Sequence, residues 1–174
     1  MAGTQASEGA TIVEPDDQRR LHQACPDLED WPQAWHIEPE DITVGEAILI
    51  ELKPFLLHLL DQGLARSTFR RHRDNVGMLA AALIHRRYDD DELAAMPVDQ
   101  ALRHLVQYDE APLMWAGITE SEQRTFDTTA RKLNQFLQHD EQASSSTAPK
   151  VQRRHGGDRT TPKTQKSGRR RGGA

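Results

Sequence analysis

The sequence predicts an all-α fold, a compact bundle of four or five helices over residues 43–139, with an acidic arm before it (1–42) and a basic tail after it (140–174). Three observations carry this. Between 43 and 139 apolar residues recur at steps of three and four, with no alternating run long enough for a sheet. Only 36% of the 174 residues are hydrophobic and 28% are charged, so a core requires the apolar ones to be concentrated, and they concentrate in that window. The flanks hold acids and Pro15, Pro26, Pro32 and Pro39 on one side, and Ser, Thr, Gly, Lys and Arg on the other. Neither flank has enough to bury to offset the entropy of ordering.

The arm is expected to form no helix of its own, yet Trp31, Trp35 and Ile37 are costly to leave in water and should dock locally. Pro54 interrupts the apolar stretch 48–60, so it is placed in the first turn of a helix ending near Asp61. Residues 44–52 then form either a separate segment or the start of one continuous helix. Gly63 supplies the stop. A second helix starts at Arg66 or Ser67 and runs to about Arg87, burying Phe69, Val76, Leu79, Ala80 and Leu83. Gly77 weakens it by about 1 kcal/mol relative to Ala and suits a close helix crossing. A short acidic turn at 89–95 follows, its acids complementing a helix N-terminus, and then a helix from Pro97 to about Tyr108. After a loop with Pro112 and Trp115, a last helix spans 119–139, opened by a Thr119 and Glu122 capping box and buried through Phe126, Ala130, Leu133 and Leu137. The tail is expected to be disordered.

Several functions are disfavoured by residue content. The longest apolar run, 78–84, is too short to cross a bilayer, and the N-terminus lacks the cationic and apolar blocks of a secretory signal, so a cytosolic protein is expected. With Cys25 alone, no intrachain disulfide forms and a zinc site has at most one sulfur. The histidines show no ligand spacing, and His58 and His104, each among leucines, fit boundary positions better than metal or base roles. There is no glycine-rich phosphate loop, nucleophile elbow or plausible carboxylate pair. No enzyme activity, metal or cofactor is therefore assigned.

Charge is divided unevenly. Residues 150–174 hold nine Lys and Arg against Asp158, a net +8, while residues 1–149 hold 13 basic and 26 acidic side chains, a net −13. Within that acidic part, 66–87 is locally basic. At about 100° per residue, Arg66, Arg70 and Arg73 fall within roughly 60° of one another beside the buried stripe. Such a stripe either contacts phosphates through guanidinium forks or is an ordinary solvated face paired with acids such as Glu51 or Asp61.

The stretch 55–76, FLLHLLDQGLARSTFRRHRDNV, joins a helix ending in Gly63 and Leu64 to a basic amphipathic helix with Thr68 in its first turn. It resembles the N-terminal core-binding (SAM-like) domain of phage-integrase-type tyrosine recombinases. In that family the domain is a four- or five-helix module that clamps duplex DNA through positively charged helices. The family often has Ser after Gly-Leu, where this chain has Ala65, so Ser67 or an open backbone donor must substitute. Nothing after His139 offers the family's catalytic Arg, Lys, His and Tyr set.

The resemblance implies a non-catalytic, DNA-binding accessory protein associated with mobile-element recombination. Its expected phosphate contacts are Arg66, Arg70, Arg71 and Arg73, with Lys150, Arg153, Arg154, Arg169, Arg170 and Arg171 of the tail adding sequence-independent affinity. The alternatives are a helical protein-interaction module that engages a recombinase or transposase through Trp31, Trp35 or Trp115, and a degenerate integrase remnant.

Overall fold

The computed structural model describes residues 14–146, and every regular element in that span is helical. Seven α-helices follow in order: α1 (Pro15–Ala24), α2 (Trp31–Trp35), α3 (Asp41–Asp61), α4 (Arg66–Arg86), α5 (Asp91–Ala95), α6 (Val98–Val106) and α7 (Glu120–Ser146), with a 3-10 turn at Leu28–Asp30 before α2. The all-α expectation holds. No helix among the described residues is long and apolar enough to cross a membrane.

The expectation that the arm forms no helix of its own is corrected: its described part holds α1 and α2. α1 packs on α3 through buried Leu21 and half-buried Ala24; Pro15 and two acids open it, and Arg19 and Arg20 reach back to Asp16 and Asp17 at 3.0 and 2.9 Å. A second ion pair, Arg20 to Asp61, ties α1 to the end of α3. Docking continues through Cys25, Leu28, Trp31 and Trp35, all buried, whereas Ile37 stays exposed. The indoles lie 5.5 Å apart and tilted.

α3 is the central rod, touching α1, α2, α4 and α6. It buries Ile48, Leu52, Phe55, Leu56 and Leu59 completely or nearly so. The placement of Pro54 in a first turn is corrected: α3 is continuous from Asp41, and Pro54 lies inside it. The ring opposes the carbonyl of Ile50, a half-exposed residue, so water can reach the acceptor that loses its donor. Close helix approach occurs at Gly45 and not at the expected Gly77. A Cβ on Gly45 would stand 3.1 Å from the backbone of Pro32, while one on Gly77 would rest at 3.6 Å on the Trp31 ring.

α4 buries every residue of its expected stripe, together with His72 and Asn75. Those two polar side chains set its register against α7: His72 Nδ1 lies 2.8 Å from Thr129 Oγ1, and Asn75 donates to Thr129 Oγ1 and the Thr125 carbonyl at 3.1 and 2.9 Å. The pairing advances on one helix as it retreats on the other, so the two run antiparallel. At the start of α7 the capping box is reciprocal, Glu122 N donating to Thr119 Oγ1 and Thr119 N to Glu122 Oε2. Asp90 caps α5 by accepting from Leu93 N at 3.0 Å, which accounts for one acid of the 89–92 run. Arg87 then binds the carbonyls of Leu93, Ala94 and Met96.

Candidate nucleic-acid interface

The candidate interface is built around the α3–α4 corner. Gly63 takes a left-handed conformation (φ +62°), which ends α3 and lets the chain turn. Ala65 occupies the N-cap of α4 with extended backbone and no side-chain bond, and Ser67 makes no substitute cap. The first-turn N–H groups of α4 are therefore left for water or an anion, and the helix dipole adds positive potential there.

Arg66, Arg70 and Arg71 project from this first part of α4. All three are exposed and make no hydrogen bond or ion pair among the described residues. The acids weighed as their partners are engaged elsewhere: Asp61 holds Arg20, and Glu51 lies in the field of Arg103, Asp99 and Asp140. Arg73 is different. Its side chain is only 19% exposed and it is bound to Asp74 at 2.7 Å and Asp27 at 3.4 Å. Of the four expected contacts on α4, three are open and one is committed inside the fold. Lys150, Arg153, Arg154, Arg169, Arg170 and Arg171 lie outside the described residues.

The open arginines divide between two sides of α4. Arg66 and Arg70, with Arg73, line a cleft of about 500 Å³ against the C-terminal end of α1, floored by Ala24, Pro26, Leu60, Leu64 and Phe69. Arg71 lies about 100° around the helix from Arg70, next to His72, whose surroundings also include Lys132 of α7. Lys132 of α7 reaches across to Gln62 Oε1 at the end of α3 at 3.4 Å. Its place beside α4 follows from the antiparallel register set by His72 and Thr129, which local sequence does not mark.

Other candidates resolve into packing. Cys25 is fully buried, and burial pushes its thiol up to about 11, with Asp27 and Asp74 adding to the rise and Arg73 opposing it. A thiol held there is a poor nucleophile. His58 is exposed, lies 2.8 Å from Gln62 Nε2 and tilts over Phe136, and His104 lies 3.2 Å from Gln107 Nε2. No group of three His, Cys, Asp or Glu side chains among the described residues could hold a metal ion. Trp31 and Trp35 are core residues and offer no partner surface, whereas Trp115 is 42% exposed and packs edge-on against Phe126.

No protein-family model, curated protein or solved structure matches the chain.

Proposed function

We propose that this chain is a non-catalytic DNA-binding accessory protein of the kind its resemblance to integrase core-binding domains implies, acting in the cytoplasm in mobile-element recombination. Arg66, Arg70 and Arg71 take the phosphates, and the tail residues Lys150, Arg153, Arg154, Arg169, Arg170 and Arg171 add affinity without reading sequence. One observation carries the reading. In a segment (1–149) with twice as many acids as bases, three arginines near one helix end stay exposed and, among the described residues, unpaired. Carboxylates are abundant, so leaving these cations open keeps them available to a polyanion. Arg73 serves the fold, positioning α4 through Asp27.

The test is a salt titration of binding to duplex DNA. Replacing Arg66, Arg70 and Arg71 together with Ala should weaken low-salt affinity at least about tenfold and reduce the log–log salt slope by about 2 to 3, since each lost phosphate contact removes about 0.9. Affinity within twofold of the unaltered chain would sink this interface.

A second reading, a protein-interaction module for a recombinase or transposase, is favoured by one feature. Tyr108, Leu113 and Trp115 are 79%, 69% and 42% exposed on a single loop. That loop is held by Gln123, which binds the carbonyls of Ala111 and Pro112. Capture of such a partner that survives nuclease treatment and is lost in Leu113→Ser would favour it.

A further inference from the structure

The cleft between α1 and the α3–α4 corner has a floor that phosphate binding leaves unused. Arg66 and Arg70 line it with uncommitted guanidinium groups, while half-buried Ala24, Leu60 and Leu64 and the buried Phe69 make its base. A sugar-phosphate backbone has no bulky apolar group to place there. Two ion pairs cross between the elements around it, Arg20 to Asp61 and Arg73 to Asp27. The cleft is thus formed before any ligand arrives, and about 500 Å³ falls within the range of roughly 300–1,000 Å³ usual for ligand sites.

We propose that this cleft docks an acidic segment of a protein partner, with one large apolar side chain on the Leu60 and Leu64 floor and flanking carboxylates on Arg66 and Arg70. Charge complementarity selects the occupant. Planar guanidinium groups bind carboxylates bidentately, and the apolar base rewards a residue such as Phe or Leu between the acids. The acidic body repels every polyanion alike, so the floor is what distinguishes this peptide from other acidic chains. The segment would share Arg66 and Arg70 with DNA, yet its binding does not require that DNA bind at all.

Fluorescence anisotropy on the full chain tests it with a labelled seven-residue probe, Asp-Glu-Asp-Phe-Asp-Glu-Asp, and the same probe with serine in place of phenylalanine. The Phe probe should bind at least about tenfold tighter, because only it fills the floor. Leu64→Ser should abolish that preference, the two probes then binding alike. Equal binding of the two probes, a preference that survives Leu64→Ser, or no binding of the Phe probe at 1 mM each overturns the proposal. The probe comparison on the unaltered chain needs no variant, so a Leu64→Ser protein that failed to fold would not rescue the idea. A chain that discriminates the probes but ignores duplex DNA would refute the DNA reading alone.

Discussion

His72 is 2% exposed and lies within the fields of Arg71 and Lys132. Burial first, and then those two cations, hold its pKa below the ordinary histidine value, so the folded protein prefers the neutral ring. A base whose pKa falls on folding contributes its full stability above about 6.5, the unfolded value, and loses it as the pH drops below 6.5 towards the folded value. Urea midpoints should therefore fall between pH 7.5 and 5.0 by more in the unaltered chain than in His72→Gln. Glu51, raised by burial and Asp99, works in the opposite direction, but it is common to both proteins and cancels in the difference. Equal pH dependence in the two would remove His72 as the source. Cys25 offers a second residue-scale check. A buried thiol near 11 has almost no thiolate at pH 8, so iodoacetamide should leave the native chain unmodified and label it fully in urea. Rapid native labelling would mean that the α1–α2 region opens far more often than its packing implies.

At the scale of elements, the two helical glycines that touch the α2 region should respond oppositely to the same substitution. Ala is worth about 1 kcal/mol more than Gly inside a helix, so Gly77→Ala, whose methyl would meet the Trp31 ring at ordinary contact distance, should stabilise by up to about 1 kcal/mol. Gly45→Ala gains the same propensity but drives a methyl against Pro32 backbone at 3.1 Å, and should destabilise by about 1 to 2 kcal/mol. Urea midpoints for both variants decide it: stabilisation by Gly45→Ala would contradict the α2–α3 approach, and destabilisation by Gly77→Ala would contradict the open contact with Trp31. These glycines also mark where the sequence stops being legible. α4, α6 and the start of α7 follow from apolar spacing and from the Thr119 capping box, both local signals. α1 escaped because its apolar content is one buried Leu21 and a half-buried Ala24, too few to show a helical period, and its packing on α3 is long-range. Local sequence left open whether residues 44–52 continue into α3; burial of Ile48, Leu52 and Phe55, a tertiary effect, outweighs the loss of one hydrogen bond at Pro54 and decides for one helix. For the site, helical phase alone groups Arg66 with Arg70. That Arg73 is tied to Asp27, 46 residues away, and that Lys132 reaches Gln62, are facts of long-range register.

For the molecule as a whole, the sign of the charge changes along the chain, and that sets how it should meet a polyanion. Residues 1–149 carry −13 and residues 150–174 carry +8, so beyond the Debye length of about 10 Å at 0.1 M salt the body opposes DNA and only the tail attracts it. Close to the α3–α4 corner the balance reverses, because Arg66, Arg70 and Arg71 have no acid partner among the described residues. Two contributions to binding should then separate experimentally. A chain ending at Ser146 keeps the corner and loses the tail. Its salt slope should fall by about 4 or more, since nine tail cations at about 0.9 each offer more than three arginines can, while a residual slope of about 2 to 3 persists. Adding the three Arg→Ala changes to the shortened chain should then remove that residue, and the two effects should be roughly additive because the sites are distinct. The opposite outcome is equally readable. If removing the tail raised affinity for duplex DNA, the polycation would be covering the arginines' surroundings or the acidic body in place of DNA, and its role would be to restrain binding.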